Sequence, residues 1–216
     1  MKHKKYLTIT NDAIFKVALE NCPEALHKLC TVFIEDLKDD KYNPNEIIIE
    51  KNELKNIEYK SSTMDIRFEI VNKYSFDLEM QNNKPRYELI DRMIKYHAEL
   101  IVKSYYKSPD YSHRMCYSLW FLNFVLYEED SNPIHTIKLE GVKNRAGSIT
   151  VVEIEKLKNY NDNVWYKLFT ESNYSKIRGK DRIMDDLVKE VDSLNKYDSL
   201  SYLTSSEYRF IVEQNV

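Results

Sequence analysis

Two short runs of alternating residues constrain this chain more than any other feature. In the first, Ile66, Phe68 and Ile70 alternate with Asp65, Arg67 and Glu69; in the second, Phe76, Leu78 and Met80 alternate with Asp77, Glu79 and Gln81. Successive side chains of a strand point to opposite faces, so each run reads as a half-buried β-strand with one apolar and one charged side. The stretch from Asn72 to Ser75 interrupts them and makes a hairpin of the pair. Facing residues of an antiparallel pair share a side, so both apolar sets reach the core only if paired residue numbers have an even sum. A pairing centred on Lys73 meets that condition. It sets Asp65 opposite Gln81, Arg67 opposite Glu79 and Glu69 opposite Asp77.

Around this hairpin the period changes. Ile14, Ala18 and Leu19 carry helical spacing after Thr10, the expected N-cap, and a second helix opens at Pro23 with Leu26, Leu29, Cys30, Phe33 and Leu37 along one stripe. One edge strand is expected around Ile47 to Ile49. Residues 86–106 return to helical spacing through Leu89, Met93, Tyr96 or His97, Leu100 and Ile101. The run 114–127 is too apolar for a surface strand and belongs at the sheet centre, with further strands at Ile134–Leu139 and Ser148–Ile154. Beyond residue 157 the pattern is helical, through Val164 and Leu168, then Ile183, Leu187, Val191 and Leu194, then a last segment around Tyr208 and Ile211. This order predicts an α/β fold with a mixed central sheet flanked by helices.

Composition removes whole classes of chemistry. Only three glycines are present, at Gly141, Gly147 and Gly179, which excludes the glycine-rich phosphate loops of Rossmann and Walker-type nucleotide sites. A net charge of −3 does not advertise nucleic-acid binding as a whole, although a local basic face is compatible with it. The cysteines Cys22, Cys30 and Cys116 lie at no zinc-ligand spacing and read as reduced core thiols. His3, His27, His97, His113 and His135 are scattered, and no serine stands in a G-x-S-x-G elbow, so neither histidine-centred nor serine chemistry is supported. With no apolar h-region and no 18-residue apolar run, a soluble cytoplasmic protein with no membrane partner is expected.

What remains is the charged side of the hairpin. Asp65, Glu69, Asp77 and Glu79 sit together there, and four neighbouring carboxylates do not all ionise unless cations intervene. A divalent ion such as Mg²⁺ or Mn²⁺ is one such cation, suited to oxygen ligands on adjacent strands. A solvated face compensated by Arg67, Lys60 and Lys73 is the other reading.

Asp65-Ile66-Arg67 followed by Asp77-Leu78-Glu79-Met80-Gln81 resembles the PD-(D/E)XK nuclease superfamily, and within it the Rpn group of recombination-promoting nucleases and transposases. Asp12-Ala-Ile-Phe15-Lys16 is similar to that group's D-x-x-F-K helix, Arg92 with Tyr96 to its R-x-x-x-Y helix, and Trp165 with Phe169 to a W-x-x-x-F element. The ordered set of elements, spanning roughly residues 10 to 127, gives a degenerate motif its specificity.

The resemblance implies a restriction-endonuclease-like core, expected over residues 1–156, and the helical pattern beyond it makes residues 157–216 a C-terminal extension packed on that core. It implies a Mg²⁺- or Mn²⁺-dependent DNA endonuclease of low sequence specificity, tied to recombination, mobile elements or phage defence. Asp65, Glu79 and the carbonyl of Met80 would ligate the metal, and activated water would attack phosphorus in line, leaving a 3′-hydroxyl. Asp12 matches an additional acid that holds water or a second ion; equally, it could cap the first helix. The position usually held by lysine is Gln81, whose amide could orient water while Lys16 or Lys84 supplies the charge. Arg92 and Tyr96 share a helix face and could contact a phosphate, or Arg92 could pair with Glu88 or an active-site acid. Double-strand cleavage would call for a homodimer, and a toxic nuclease for an inhibitory protein partner. The alternative is a weak or inactive nuclease-fold module that binds nucleic acid or protein.

Overall fold

A computed structural model of the chain describes residues 6–41, 43–50, 65–85, 88–106, 114–138, 146–160 and 163–196. Its centre is a six-stranded mixed sheet in the order β1-β2-β3-β4-β6-β5, built from β1 (Ile47–Glu50), β2 (Ile66–Ile70), β3 (Tyr74–Gln81), β4 (Met115–Leu122), β5 (Ile134–Ile137) and β6 (Ser148–Glu153). The central pairs β3–β4 and β4–β6 are parallel, and the outer pairs antiparallel. Helix α3 (Leu89–Tyr106) makes the crossover between β3 and β4, as parallel neighbours require. The other helices are α1 (Asp12–Asn21), α2 (Pro23–Phe33), α4 (Ile154–Leu157), α5 (Val164–Thr170) and α6 (Arg182–Lys196).

The hairpin forms as its alternation demands, but two residues out from the expected register. Ile66 pairs with Leu78, Arg67 with Asp77, Phe68 with Phe76, Glu69 with Ser75 and Ile70 with Tyr74, so the turn centres on Asn72 rather than Lys73. Both registers keep the apolar sets together; the turn decides between them. Asn72 adopts a left-handed backbone (φ 59°), which asparagine tolerates, and the Lys73 N–H closes the turn on the Ile70 carbonyl at 3.0 Å.

Neither hairpin strand is half-buried: every residue of β2 is buried, as are Ser75 to Met80 of β3. One face, with Ile66, Phe68, Ile70, Phe76, Leu78 and Met80, packs in a single core with α1, α2, α5 and α6, including Phe15, Leu29, Phe169 and Val188. Phe121 of β4 stacks on Phe169 with ring centroids 4.3 Å apart. The acid-bearing face is covered by α3, whose Leu89, Met93 and Tyr96 pack on Trp120, Leu122, Ile149 and Val151. Beneath α3, therefore, lies a sheet face that is apolar over β4 and β6 and charged over β2 and β3.

Smaller differences have local causes. Asn11, not Thr10, caps α1 by accepting the Ile14 N–H at 3.2 Å, while the Thr10 hydroxyl bonds that of Thr8. The 114–127 run is a strand only to Leu122; beyond it the backbone turns away and is tied down by Glu153, buried at the end of β6, which accepts the Leu126 and Tyr127 N–H groups at 2.5 and 3.0 Å. Leu139, Tyr208 and Ile211 lie outside the described residues.

Candidate active site

The observed register sets Asp65, one position beyond the Ile66–Leu78 pair, directly across from Glu79. Two backbone bonds lock them: the Asp65 N–H donates to Glu79 Oε1 at 2.9 Å, and the Met80 N–H donates to Asp65 Oδ2 at 2.8 Å. Each carboxylate thus commits one oxygen to the backbone, and among the described residues no bond engages the other. Asp77 lies one pleat further along β3 with 0% exposure, and neither of its oxygens has a hydrogen-bond partner.

Burial dominates the electrostatics of these three groups. It pushes Asp65 up to about 6, with the nearby Asp12 charge adding to it and the Met80 N–H, Lys16 and Arg92 opposing it. Asp77 is pushed up to about 7, by burial first and then by Asp65 and Glu99, against the attraction of Arg67 and Lys103. Glu79 lies well above the usual carboxylate range because it is buried beside both Asp65 and Asp77. Burial outweighs the cations that face these carboxyls, so a solvated strand face does not describe this site. The fourth predicted acid, Glu69, is at the other end of the face, where Arg114 pairs with it. Lys73 is equally remote, donating to the Lys41 carbonyl at 3.3 Å, and Lys60 lies outside the described residues.

Asp12 opens α1 close enough to Asp65 to raise its pKa, so one element places it both at a helix start and at the acid cluster. Burial raises Asp12 too, and the Asn82 amide, which donates to its Oδ1, opposes that shift. Lys16, one turn along α1, faces the same cluster from its half-buried position. Lys84 does not: it is exposed and pairs with Glu128 at 3.3 Å.

Gln81 is held at both ends. Its Nε2 donates to the Asn83 carbonyl at 2.7 Å, and its Oε1 accepts from Nη2 of Arg92. The Arg92 guanidinium lies 5.1 Å from the Trp120 ring centroid and 5.9 Å from that of Tyr96, and it lowers the pKa of Asp65 and Glu79. Arg92 therefore turns inward to the motif, and Tyr96, only 8% exposed, is its stacking neighbour on Trp120 rather than a surface group. Trp120 and Asn82 were not foreseen. Trp120 joins the site because β4 runs parallel to β3 and sets it beside Glu79; Asn82 simply follows the motif.

The histidines do other work. His97 sits buried between the Ser118 hydroxyl (2.9 Å) and the Ala146 carbonyl (3.0 Å), and burial lowers its pKa. His27 contacts Asp40 at 3.2 Å and His135 contacts Glu153 at 2.9 Å. All three cysteines are free thiols, two of them buried.

Among the described residues, no three His, Cys, Asp or Glu side chains converge as a complete metal-ligand set. The donors that do meet, Asp65 and Glu79, are hard oxygens on adjacent strands, and Mg²⁺ typically takes one or two carboxylates and fills its remaining positions with water and substrate phosphate. Buried carboxyls whose pKa is raised fit a divalent cation. Among the described residues, no helix is long and apolar enough to cross a membrane.

A family described as PD-(D/E)XK nuclease family transposase matches residues 10–175. No curated protein and no solved structure matches the chain.

Proposed function

The chain belongs to the PD-(D/E)XK nuclease family transposases, and from that premise we propose that it is a Mg²⁺- or Mn²⁺-dependent DNA endonuclease of low sequence specificity. The observation that carries this reading is the pair Asp65 and Glu79, facing each other across β2 and β3 with pKa values raised by burial and by other acids. A divalent ion held there would supply Lewis-acid polarisation of the phosphodiester and water at lowered pKa.

The chain's own residues do the rest. Asp65 and Glu79 are oriented by backbone N–H groups, so their positions are fixed before substrate arrives. The carbonyl of Met80 would add a third oxygen. Asp12, held by Asn82, would hold the attacking water or a second ion. In the net reaction the water oxygen bonds to phosphorus and the P–O3′ bond breaks. The proton lost by water balances the one gained by the 3′-oxygen, and a 5′-phosphate remains.

The test is incubation of purified protein with supercoiled plasmid and linear single-stranded DNA in Mg²⁺, Mn²⁺ or EDTA, beside Asp65→Ala and Glu79→Ala. Metal-dependent cleavage lost in both variants supports the reading; undiminished cleavage in Asp65→Ala refutes it. One observation favours a second reading, a nuclease-fold module that binds without cutting: both ends of the Gln81 amide are engaged, so it has little freedom to act on water. DNA binding by the wild type with no cleavage and no metal-induced rise in melting temperature would favour that module.

A further inference from the structure

Gln81 occupies the position where the motif usually carries a lysine, and an amide supplies no charge. The nearby geometry shows where a charge comes from instead. Arg92, in the first turn of α3, donates through Nη2 to Gln81 Oε1, and the opposite end of that amide is anchored on the Asn83 carbonyl at 2.7 Å. The guanidinium is half-buried, stacked 5.1 Å from the centroid of Trp120, the residue paired with Glu79 across β3 and β4. Its Nε is buried with no hydrogen-bond partner. An arginine packed against two touching aromatic rings and clamped by one amide has lost rotamer freedom, and such pre-organised donors are effective where charge develops in a transition state. Arg92 lowers the pKa of both Asp65 and Glu79, whereas Lys16 acts on Asp65 and Lys84 sits exposed beside Glu128.

We propose that Arg92 is the catalytic cation of this site, filling from α3 the role of the missing lysine, and that Gln81 is the positioning residue that aims it. The inference rests on the nuclease reading. The guanidinium would face a non-bridging phosphate oxygen as negative charge builds on it, while the Gln81 side chain, among the described residues, hydrogen-bonds to Arg92 and the Asn83 carbonyl. This assigns Arg92 to the rate of the chemical step rather than to DNA affinity alone.

The experiment measures plasmid cleavage over a range of DNA concentrations in Mn²⁺ for the wild type, Arg92→Ala, Arg92→Lys, Gln81→Leu, Gln81→Leu/Arg92→Ala and Gln81→Lys/Arg92→Ala, with melting temperatures and metal-free DNA binding by anisotropy for each. Removing one pre-organised donor costs about 100-fold in kcat, so Arg92→Ala should lose about that much with KM and anisotropy little changed. Arg92→Lys, which keeps the charge and the stem, should lose less. Gln81→Leu should slow cleavage, yet add nothing to Arg92→Ala in the double variant, because both act through one group. Gln81→Lys/Arg92→Ala should recover at least about tenfold over Arg92→Ala, since the lysine restores charge from the usual position.

Full kcat in Arg92→Ala, a change in KM and anisotropy alone, or no recovery by the added lysine would each overturn the proposal. A fall in kcat that merely tracks lost melting temperature would also overturn it, because it marks a packing role. If the wild type cleaves no better than Asp65→Ala, the nuclease reading itself fails and takes this inference with it; cleavage sensitive to Asp65 but indifferent to Arg92 overturns the inference alone.

Discussion

Asp77 provides the sharpest test of the electrostatics. It is fully buried, both its oxygens lack a hydrogen-bond partner, and its pKa is pushed up to about 7. A carboxyl whose folded pKa lies above its unfolded value keeps a proton in the native state that the unfolded chain has already released. Its contribution to stability is therefore full below the unfolded value, near 3.8, and is lost as pH rises through the folded value near 7. Each pH unit in that window costs about 1.4 kcal/mol, and the loss levels off above the folded value, so going from pH 5 to pH 7.5 in EDTA should remove about 2.5 kcal/mol through this residue. For a chain of this size that is a fall of roughly 5–10 °C in melting temperature. Asp77→Asn keeps the shape and cannot ionise, so in EDTA it should melt above the wild type at pH 8 and show a markedly flatter profile between pH 5 and pH 8. Thermal scans of both proteins across that range decide the matter. Parallel profiles for wild type and variant would refute the claim that burial holds the Asp77 carboxyl above its ordinary pKa, whatever other groups titrate in the same window.

Three further outcomes follow from the packing and the site. At pH 8, Mg²⁺ or Mn²⁺ at a hundredfold excess over its Kd should add about 2.7 kcal/mol to stability; the rise should vanish in Asp65→Ala, and an equal rise in that variant would count against ligation by Asp65. Gly147 has φ +72°, and a β-carbon there would lie 1.7 Å from the Cys116 carbonyl oxygen, so Gly147→Ala should cost more than roughly 3 kcal/mol in urea unfolding. Phe169→Ala removes a ring stacked on Phe121 and in edge contact with Phe33, and should cost about 3–5 kcal/mol by the same assay.

The sequence showed the strands of the hairpin and their charged side, because a period of two is a local property of Asp65–Ile70 and Phe76–Gln81 that tertiary context did not overturn. Register was not legible in the same way. Pairings centred on Asn72 and on Lys73 both keep Ile66, Phe68, Leu78 and Met80 on one face, and only the left-handed backbone at Asn72 separates them. That two-residue difference matters for chemistry: one register sets Asp65 against an amide, the other against Glu79. Burial of the charged face was hidden for a related reason. Whether Asp77 meets water depends on α3 crossing back over β3, and nothing in the strand's own pattern records what covers it.

The same crossover explains why the exchange of lysine for Gln81 could not be interpreted locally. A lysine on β3 would carry its own charge to the carboxylates, whereas Gln81 carries none, and the arginine bonded to it lies eleven residues later in a different secondary structure. Its reach depends on three separate placements: α3 starting at Leu89, Trp120 lying beside Glu79 through the parallel β3–β4 register, and Gln81 being turned toward the helix by the Asn83 carbonyl. A shift in any one would move Arg92 from its place beside Asp65 and Glu79, whose pKa values it lowers. The cost of a buried acidic face and the placement of its cation are thus parts of one arrangement, which is why perturbing α3 should change both stability above pH 7 and chemistry at the strand ends.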